Sequence, residues 1–127
     1  MRKYKTHDCD EISLADIGKE VRIAGFVQTI RNHGGVVFLD IRDMFGITQA
    51  VTSGREDDVE FASHIPVESS VTVLGTVRKR SEDTVNLKIK TGEVEVFIKE
   101  IKVLGRRTKN LPFEVNSNQV VREDLRL

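Results

Sequence analysis

Phe38 stands where an alternating strand should be polar. In Val36–Arg42, the side chains of Val37, Leu39 and Ile41 fall on one face, and those of Val36, Phe38, Asp40 and Arg42 fall on the other. A phenyl ring among charged neighbours is either covered from within the chain or held out for a partner. If it is held out, its chemistry is stacking. A base laid on such a ring gains roughly 1–3 kcal/mol, whatever the base. Gln49 lies in the next apolar run and carries both a donor and an acceptor, so it can read a base edge bidentately, although a surface glutamine is usually only hydrated. Arg31 closes the preceding run beside Gly34-Gly35, a turn that lets another backbone come close. Arg78 and Arg80 share one parity of a later run, where planar guanidinium groups can grip phosphate or a base edge. Thr84 and Asn86 fall in the polar loop that follows, and Glu93 and Glu95 share a parity of the last run. A carboxylate on such a face suits the Watson–Crick edge of guanine, which presents N–H donors. A cross-strand salt bridge from Glu95 to Arg78 or Arg80 is the plainer assignment.

Other chemistries lack their residues. Neither GxxxxGK[ST] nor GxGxxG occurs. His7, Cys9, His33 and His64 match no zinc spacing, so no metal is expected. No Ser–His–Asp set can be assembled from spacing, and no catalytic residue is assigned. The single cysteine excludes an intramolecular disulfide and suggests a reducing compartment. The opening MRKYKTHDCDE has no apolar run of a signal peptide, and no segment approaches the roughly 18 apolar residues of a membrane span. A soluble, cytoplasmic protein without membrane contact is expected.

At 127 residues the chain is long enough for one domain with a small core. Its formal net charge is zero, so no global field draws in polyanions. The distribution is uneven. Residues 1–77 hold 8 basic and 12 acidic side chains, residues 78–109 hold 10 and 5, and residues 110–127 hold 2 and 3. Positive charge is thus concentrated where Arg78 and Arg80 lie, which marks either a phosphate-facing surface or a solvated hairpin.

The positioning elements are mostly strands. Ser13, Asp16 and Gly18 predict a brief capped helical turn. A long strand over 20–31 has Val21, Ile23 and Val27 on one parity, with Gly25 as a kink or bulge. Strands over 36–43 and 46–51 complete a meander. The stretch REDDVEFASHI, acidic first and apolar at Val59, Phe61, Ala62 and Ile65, predicts a short helix ended by Pro66. Strands over 70–80 and 93–105 follow, the last with a phase slip near Lys99–Glu100 that a bulge would produce. Three strands, a helix and two strands predict an all-β, five-stranded Greek-key barrel of the oligonucleotide/oligosaccharide-binding (OB) type over 1–105, with the helix between strands three and four. An SH3-like barrel or an open α+β sheet also fits. Residues 106–127 lose the alternation and read as an exit linker stiffened at Pro112.

Several runs together are familiar. The opening T-H-x-C, then GFVxxxRxHGGVVFLDIRDxxGITQ, GTVRxR and TGEVEV resemble the N-terminal domain of bacterial-type aspartyl-tRNA synthetases over about residues 1–113. The tail VVREDLRL is similar to that family's approach to a catalytic domain, which would follow. Lysyl- and asparaginyl-tRNA synthetases share the barrel, but their counterparts of the central run usually read differently. The resemblance implies an anticodon-binding OB domain for tRNA-Asp. By it, Phe38 stacks on the middle anticodon uracil and Gln49 bonds that uracil's edge. Arg31 and Arg80 match positions that contact the third base and nearby backbone. Asn86 and Glu95 match positions around the first base, a guanine or its modified form. The chain departs from the family at Thr29 and Ile30, often Arg or Lys, at Phe26, usually Trp, and at Thr84, sometimes Asn. ATP and magnesium are implied only for the catalytic domain, and none is expected here. The parent ligase is expected to be a homodimer whose main interface lies outside this segment, leaving the segment itself free to be a monomer. Two other classes stay open: a free-standing OB protein for single strands, and a protein-interaction barrel anchored by Phe38.

Overall fold

A computed structural model of the chain describes residues 5–105 and the backbone of 124–126. A 3-10 turn, Leu14–Asp16, precedes β1 (Glu20–His33), β2 (Val36–Arg42) and β3 (Ile47–Val51). The helix α1 (Glu56–Ser63) separates these from β4 (Ser70–Lys79) and β5 (Val94–Gly105), and β6 (Asp124–Arg126) comes last. Neighbouring strands run in the order β3-β2-β1-β4-β5-β6, and a parallel contact between β3 and β5 closes the barrel. This is the predicted OB topology, with its helix between the third and fourth strands.

The length of β1 follows from its double duty. Glu20–Phe26 pair with β4, whereas Phe26–His33 pair with β2, so the strand must bend as it passes from one half of the barrel to the other. The bend has two parts. A Cβ at Gly25 would collide with the Arg42 carbonyl, so only glycine lets the strands come this close. The bulge itself falls two to three residues later, between Val27 and Thr29, rather than at Gly25. The turn after β1 needs positive φ at both central residues, and Gly34 and Gly35 supply φ of 64° and 84°. That two-residue turn sets the register His33↔Val36, Asn32↔Val37 and Arg31↔Phe38.

The alternation places the core as expected. Val21, Ile23, Val27, Val37, Leu39 and Ile41 are fully buried, as are Val71, Val73, Val96 and Ile98. The phase slip in β5 is real. Leu74 pairs with Glu100 and Gly75 with Ile98, so Lys99 is left over as a bulge, and Ile101 and Val103 then turn inward. Ala62 and Ile65 join the core, with Val59 and Phe61 packed against it. Ser13 and Asp16 form the predicted capping box. The thiol of Cys9 is buried in the core and donates to the Ala24 carbonyl.

Residues 106–123, with Pro112, lie outside the described residues, and so does most of the expected linker. Asp124–Arg126, counted with that linker from sequence, instead pair antiparallel with Glu100–Lys102 of β5. The reason is an open edge. The contact of β3 with β5 is limited to Val96 and Phe97, and the later backbone groups of β5 need another partner. Among the described residues no helix is long and apolar enough to cross a membrane.

Asp43 ties the N-terminal segment to the β2–β3 turn. Its carboxylate accepts from the backbone N–H groups of Cys9, Phe45 and Gly46 at 2.9, 2.8 and 3.0 Å. Burial pushes its pKa up, but these three donors outweigh burial and hold it below the ordinary value of 3.8. A carboxylate depressed by folding stabilises the fold above its unfolded pKa, and that contribution is lost as pH falls through the folded value. Asp43→Asn should therefore lower stability at pH 7 by about 1–3 kcal/mol. The deficit relative to the parent should shrink below about pH 4, where the unfolded carboxyl protonates. Urea unfolding from pH 2.5 to 7 reads both effects.

Candidate nucleic-acid interface

Strand pairing gathers outward side chains of all five barrel strands on one face. Arg31 lies opposite Phe38, Asp40 opposite Gln49, Phe38 opposite Val51, and Arg78 opposite Glu95. The closure of β3 on β5 then sets Val51 against Phe97. A continuous polar chain results. Arg31 Nη2 donates to Gln49 Oε1 at 2.8 Å. Gln49 Nε2 donates to Glu95 Oε1 at 2.8 Å, and Arg78 Nε donates to Glu95 Oε2 at 2.8 Å. Each end of the chain lies on an aromatic ring: the Arg31 guanidinium is 5.5 Å from the Phe38 centroid, and that of Arg78 is 4.6 Å from the Phe97 centroid.

Five of the seven predicted residues, Arg31, Phe38, Gln49, Arg78 and Glu95, are thus brought together, with two corrections to how they stand. Phe38 is not bare. It is on the outward face and outside the apolar core cluster, but it is only 8% exposed. Its place beneath Arg31 is one reason. Gln49 and Glu95 are buried too, at 0% and 4% exposure. The salt bridge that sequence favoured for Glu95 is present, and it goes to Arg78. Gln49 retains one lone pair and one N–H, but it has no exposed surface. These polar groups satisfy one another.

Arg80 lies one residue beyond the end of β4 and, unlike the half-exposed Arg78, is buried. It donates from Nε to the Val94 carbonyl and from Nη1 to the Thr84 carbonyl, each at 2.8 Å. Burial draws its pKa below the usual arginine value, against the raising effect of Asp40 and Glu95. Its Nη2 is buried and has no hydrogen-bond partner among the described residues. Arg80 therefore shapes the β4–β5 loop and keeps one donor in reserve. Arg80 also lines a pocket of about 330 Å3 together with Arg31, Asp40, Thr84, Asn86 and Ile89, among others. Asn86 is on the exposed side of that loop, where its side-chain oxygen accepts from the Lys88 N–H and its backbone N–H bonds Gly92.

Sequence reasoning missed three contributors. Thr29 donates to Asp40, whose other oxygen faces Arg31 Nη2 at 3.6 Å, so this pair braces the guanidinium over Phe38. Phe97 was the third. Its outward parity in β5 was visible, but without the partner strand a lone phenylalanine there carried no message.

The family assignment follows from comparison. Residues 21–104, from the second residue of β1 to the penultimate residue of β5, match the family described as OB-fold nucleic acid binding domain, the tRNA anticodon family. The chain belongs to that family. It is 42% identical over 128 residues to an aspartate–tRNA(Asp/Asn) ligase of Rickettsia canadensis (strain McKiel), covering 100% of this chain and 21% of that protein. It is similar to an aspartyl tRNA synthetase from Entamoeba histolytica, with a TM-score of 0.73 and 27% identity over 86% of this chain and 23% of the other. It is similar also to asparaginyl-tRNA synthetase from Pyrococcus horikoshii, with a TM-score of 0.68 and 32% identity over 94% of this chain and 27% of the other. The OB domain spans about a fifth of the length of the curated relatives it matches.

Removing Glu95 tests the network directly. In Glu95→Ala the buried Gln49 amide and the Arg78 guanidinium lose their shared acceptor. The expected cost is about 3 kcal/mol in urea unfolding. Arg78→Ala removes a half-exposed partner and should cost about 1 kcal/mol, because Gln49 still holds Glu95.

Proposed function

We propose that this OB domain reads the anticodon loop of tRNA-Asp on behalf of an aspartate–tRNA ligase. The observation that carries the reading is the convergence on Phe38. A ring suited to stacking, an amide able to read a base edge and a guanidinium joining the two occupy adjacent strands, on the face where OB barrels take their ligands. The middle anticodon uracil takes the ring of Phe38 as its platform, and Gln49 bonds its edge. Arg31 gives up its place over the ring and turns to backbone phosphate. Arg80, with its unpaired Nη2, and Asn86 serve the neighbouring bases at the pocket beneath the β4–β5 loop. Glu95 accepts from the guanine edge of the first base, and Arg78, freed from it, turns to phosphate.

The names of the relatives point the same way. They are ligases for tRNA(Asp/Asn), so the choice between aspartate and asparagine tRNAs turns on third-base contacts and on parts of the ligase beyond this chain. Those parts, with ATP and magnesium, activate aspartate in a cytoplasmic and homodimeric enzyme. The present chain contributes by holding the tRNA so that its distant 3′ end is presented correctly. On its own it should support no ATP–pyrophosphate exchange.

The test is titration of the chain with an Asp anticodon stem-loop and its single-base variants. One-to-one binding is expected. Phe38→Ala should weaken it by roughly 5- to 150-fold, the stacking range of about 1–3 kcal/mol. Gln49→Ala should weaken it and remove the preference for uracil at the middle position. Equal affinity for a stem-loop with cytosine there would overturn the reading.

A further inference from the structure

We propose that Phe97, under the guanidinium of Arg78, is a second stacking platform, for an unpaired nucleobase of the same RNA loop, next along the strand from the one on Phe38. The proposal rests on the anticodon-loop reading and extends it to a residue which that reading does not use.

Phe97 is a poor core residue. Its neighbours Val96 and Ile98 are fully buried, whereas Phe97 is partly exposed on the opposite parity. It belongs neither to the apolar core cluster nor to the partly buried residues packed on it. Its strand partners are Val51 on β3 and Thr76 on β4. The register therefore makes a row, Phe38–Val51–Phe97, across β2, β3 and β5. Two strand spacings separate the rings, roughly 10 Å. Bases stacked on one another rise only roughly 3.4 Å. The row suits bases splayed apart, as they are in recognised RNA loops.

The guanidinium over the ring supplies the rest. Only Arg78 Nε is engaged, with Glu95 Oε2, and neither terminal nitrogen has a hydrogen bond among the described residues. The Arg78 side chain is 48% exposed, close to the 49% of Arg31. Ring plus half-exposed guanidinium thus occurs twice, and both copies join the same Gln49–Glu95 pair. A base entering on Phe97 displaces the guanidinium from the ring face toward the strand's phosphates. The residue opposite on β4 is Thr76, with no amide or carboxylate of its own, so this platform adds affinity without choosing the base.

The experiment uses the whole chain and an Asp anticodon stem-loop with 2-aminopurine placed at each loop position in turn. Its fluorescence falls when the analogue stacks. Phe97→Leu should weaken binding about tenfold, within the stacking range. It should also restore fluorescence at one loop position, different from the position restored by Phe38→Ala. The sequence contains no tryptophan, so in Phe97→Trp the indole is a sole reporter, and unlabelled stem-loop should quench it. Wild-type affinity in Phe97→Leu, a common responding position for both variants, or an unquenched indole in a complex that still needs Phe38 would overturn the second platform and leave the anticodon reading intact. Failure of the stem-loop to bind the parent chain would overturn both.

Discussion

Two residue pairs, Ala50 with Val96 and Val51 with Phe97, close the barrel, and the recognition face depends on that short parallel contact. Without it β3 and the first half of β5, which β6 does not cover, would be open edges of the sheet. Gln49 would then project from one edge and Glu95 from the other. Closure puts the amide 2.8 Å from the carboxylate and completes the chain from Phe38 to Phe97. Parallel closure over so few residues gains little from its own backbone bonds. It is held instead by the inward side chains beside it, Ala50 and Val96 among them, which belong to one continuous core.

Burying Glu95 sets the electrostatic logic of the face. A carboxylate at 4% exposure is costly unless its oxygens are engaged, and here Oε1 accepts from an amide and Oε2 from a guanidinium. The arrangement offers little advantage over an apolar core in stability alone. What it gains is orientation. The Gln49 amide can satisfy Arg31 on one side and Glu95 on the other only with its oxygen toward the guanidinium and its nitrogen toward the carboxylate. The amide is thereby fixed before any ligand arrives, a preorganisation that lowers the entropy lost on binding.

Much of this was legible in the sequence, and the rest was hidden for identifiable reasons. The alternation in β1, β2, β4 and β5 named the core residues because one side of each strand is buried. The slip at Lys99 was visible because the apolar parity changes there. Even the contact of Arg31 with Phe38 follows from counting outward from the two-glycine turn. Parity, however, gives the face of a side chain and not what covers it, so it left open whether the ring of Phe38 is covered, and the ring lies under Arg31. Parity likewise did not show that Arg80 is buried, with its guanidinium on the carbonyls of Thr84 and Val94. The link from Gln49 to Glu95 spans 46 residues of sequence and arises only from barrel closure, which no local pattern encodes.

The internal pairing also bears on how a polyanion can bind a chain of zero net charge. Surface arginines that wait in solvent bind phosphate by releasing counterions from the nucleic acid, and the affinity then falls steeply with salt. Arg31 and Arg78 are already engaged, one with Gln49 and Asp40 and the other with Glu95, and each lies on a ring. A nucleobase that takes its place on the ring frees either guanidinium to turn fully to phosphate. Phosphate alone offers the ring no substitute. Electrostatic attraction and stacking are therefore coupled: a strand that cannot deliver unstacked bases would leave the guanidinium groups where they are. This favours single-stranded loops over duplexes without a charge field that would hold any nucleic acid indiscriminately.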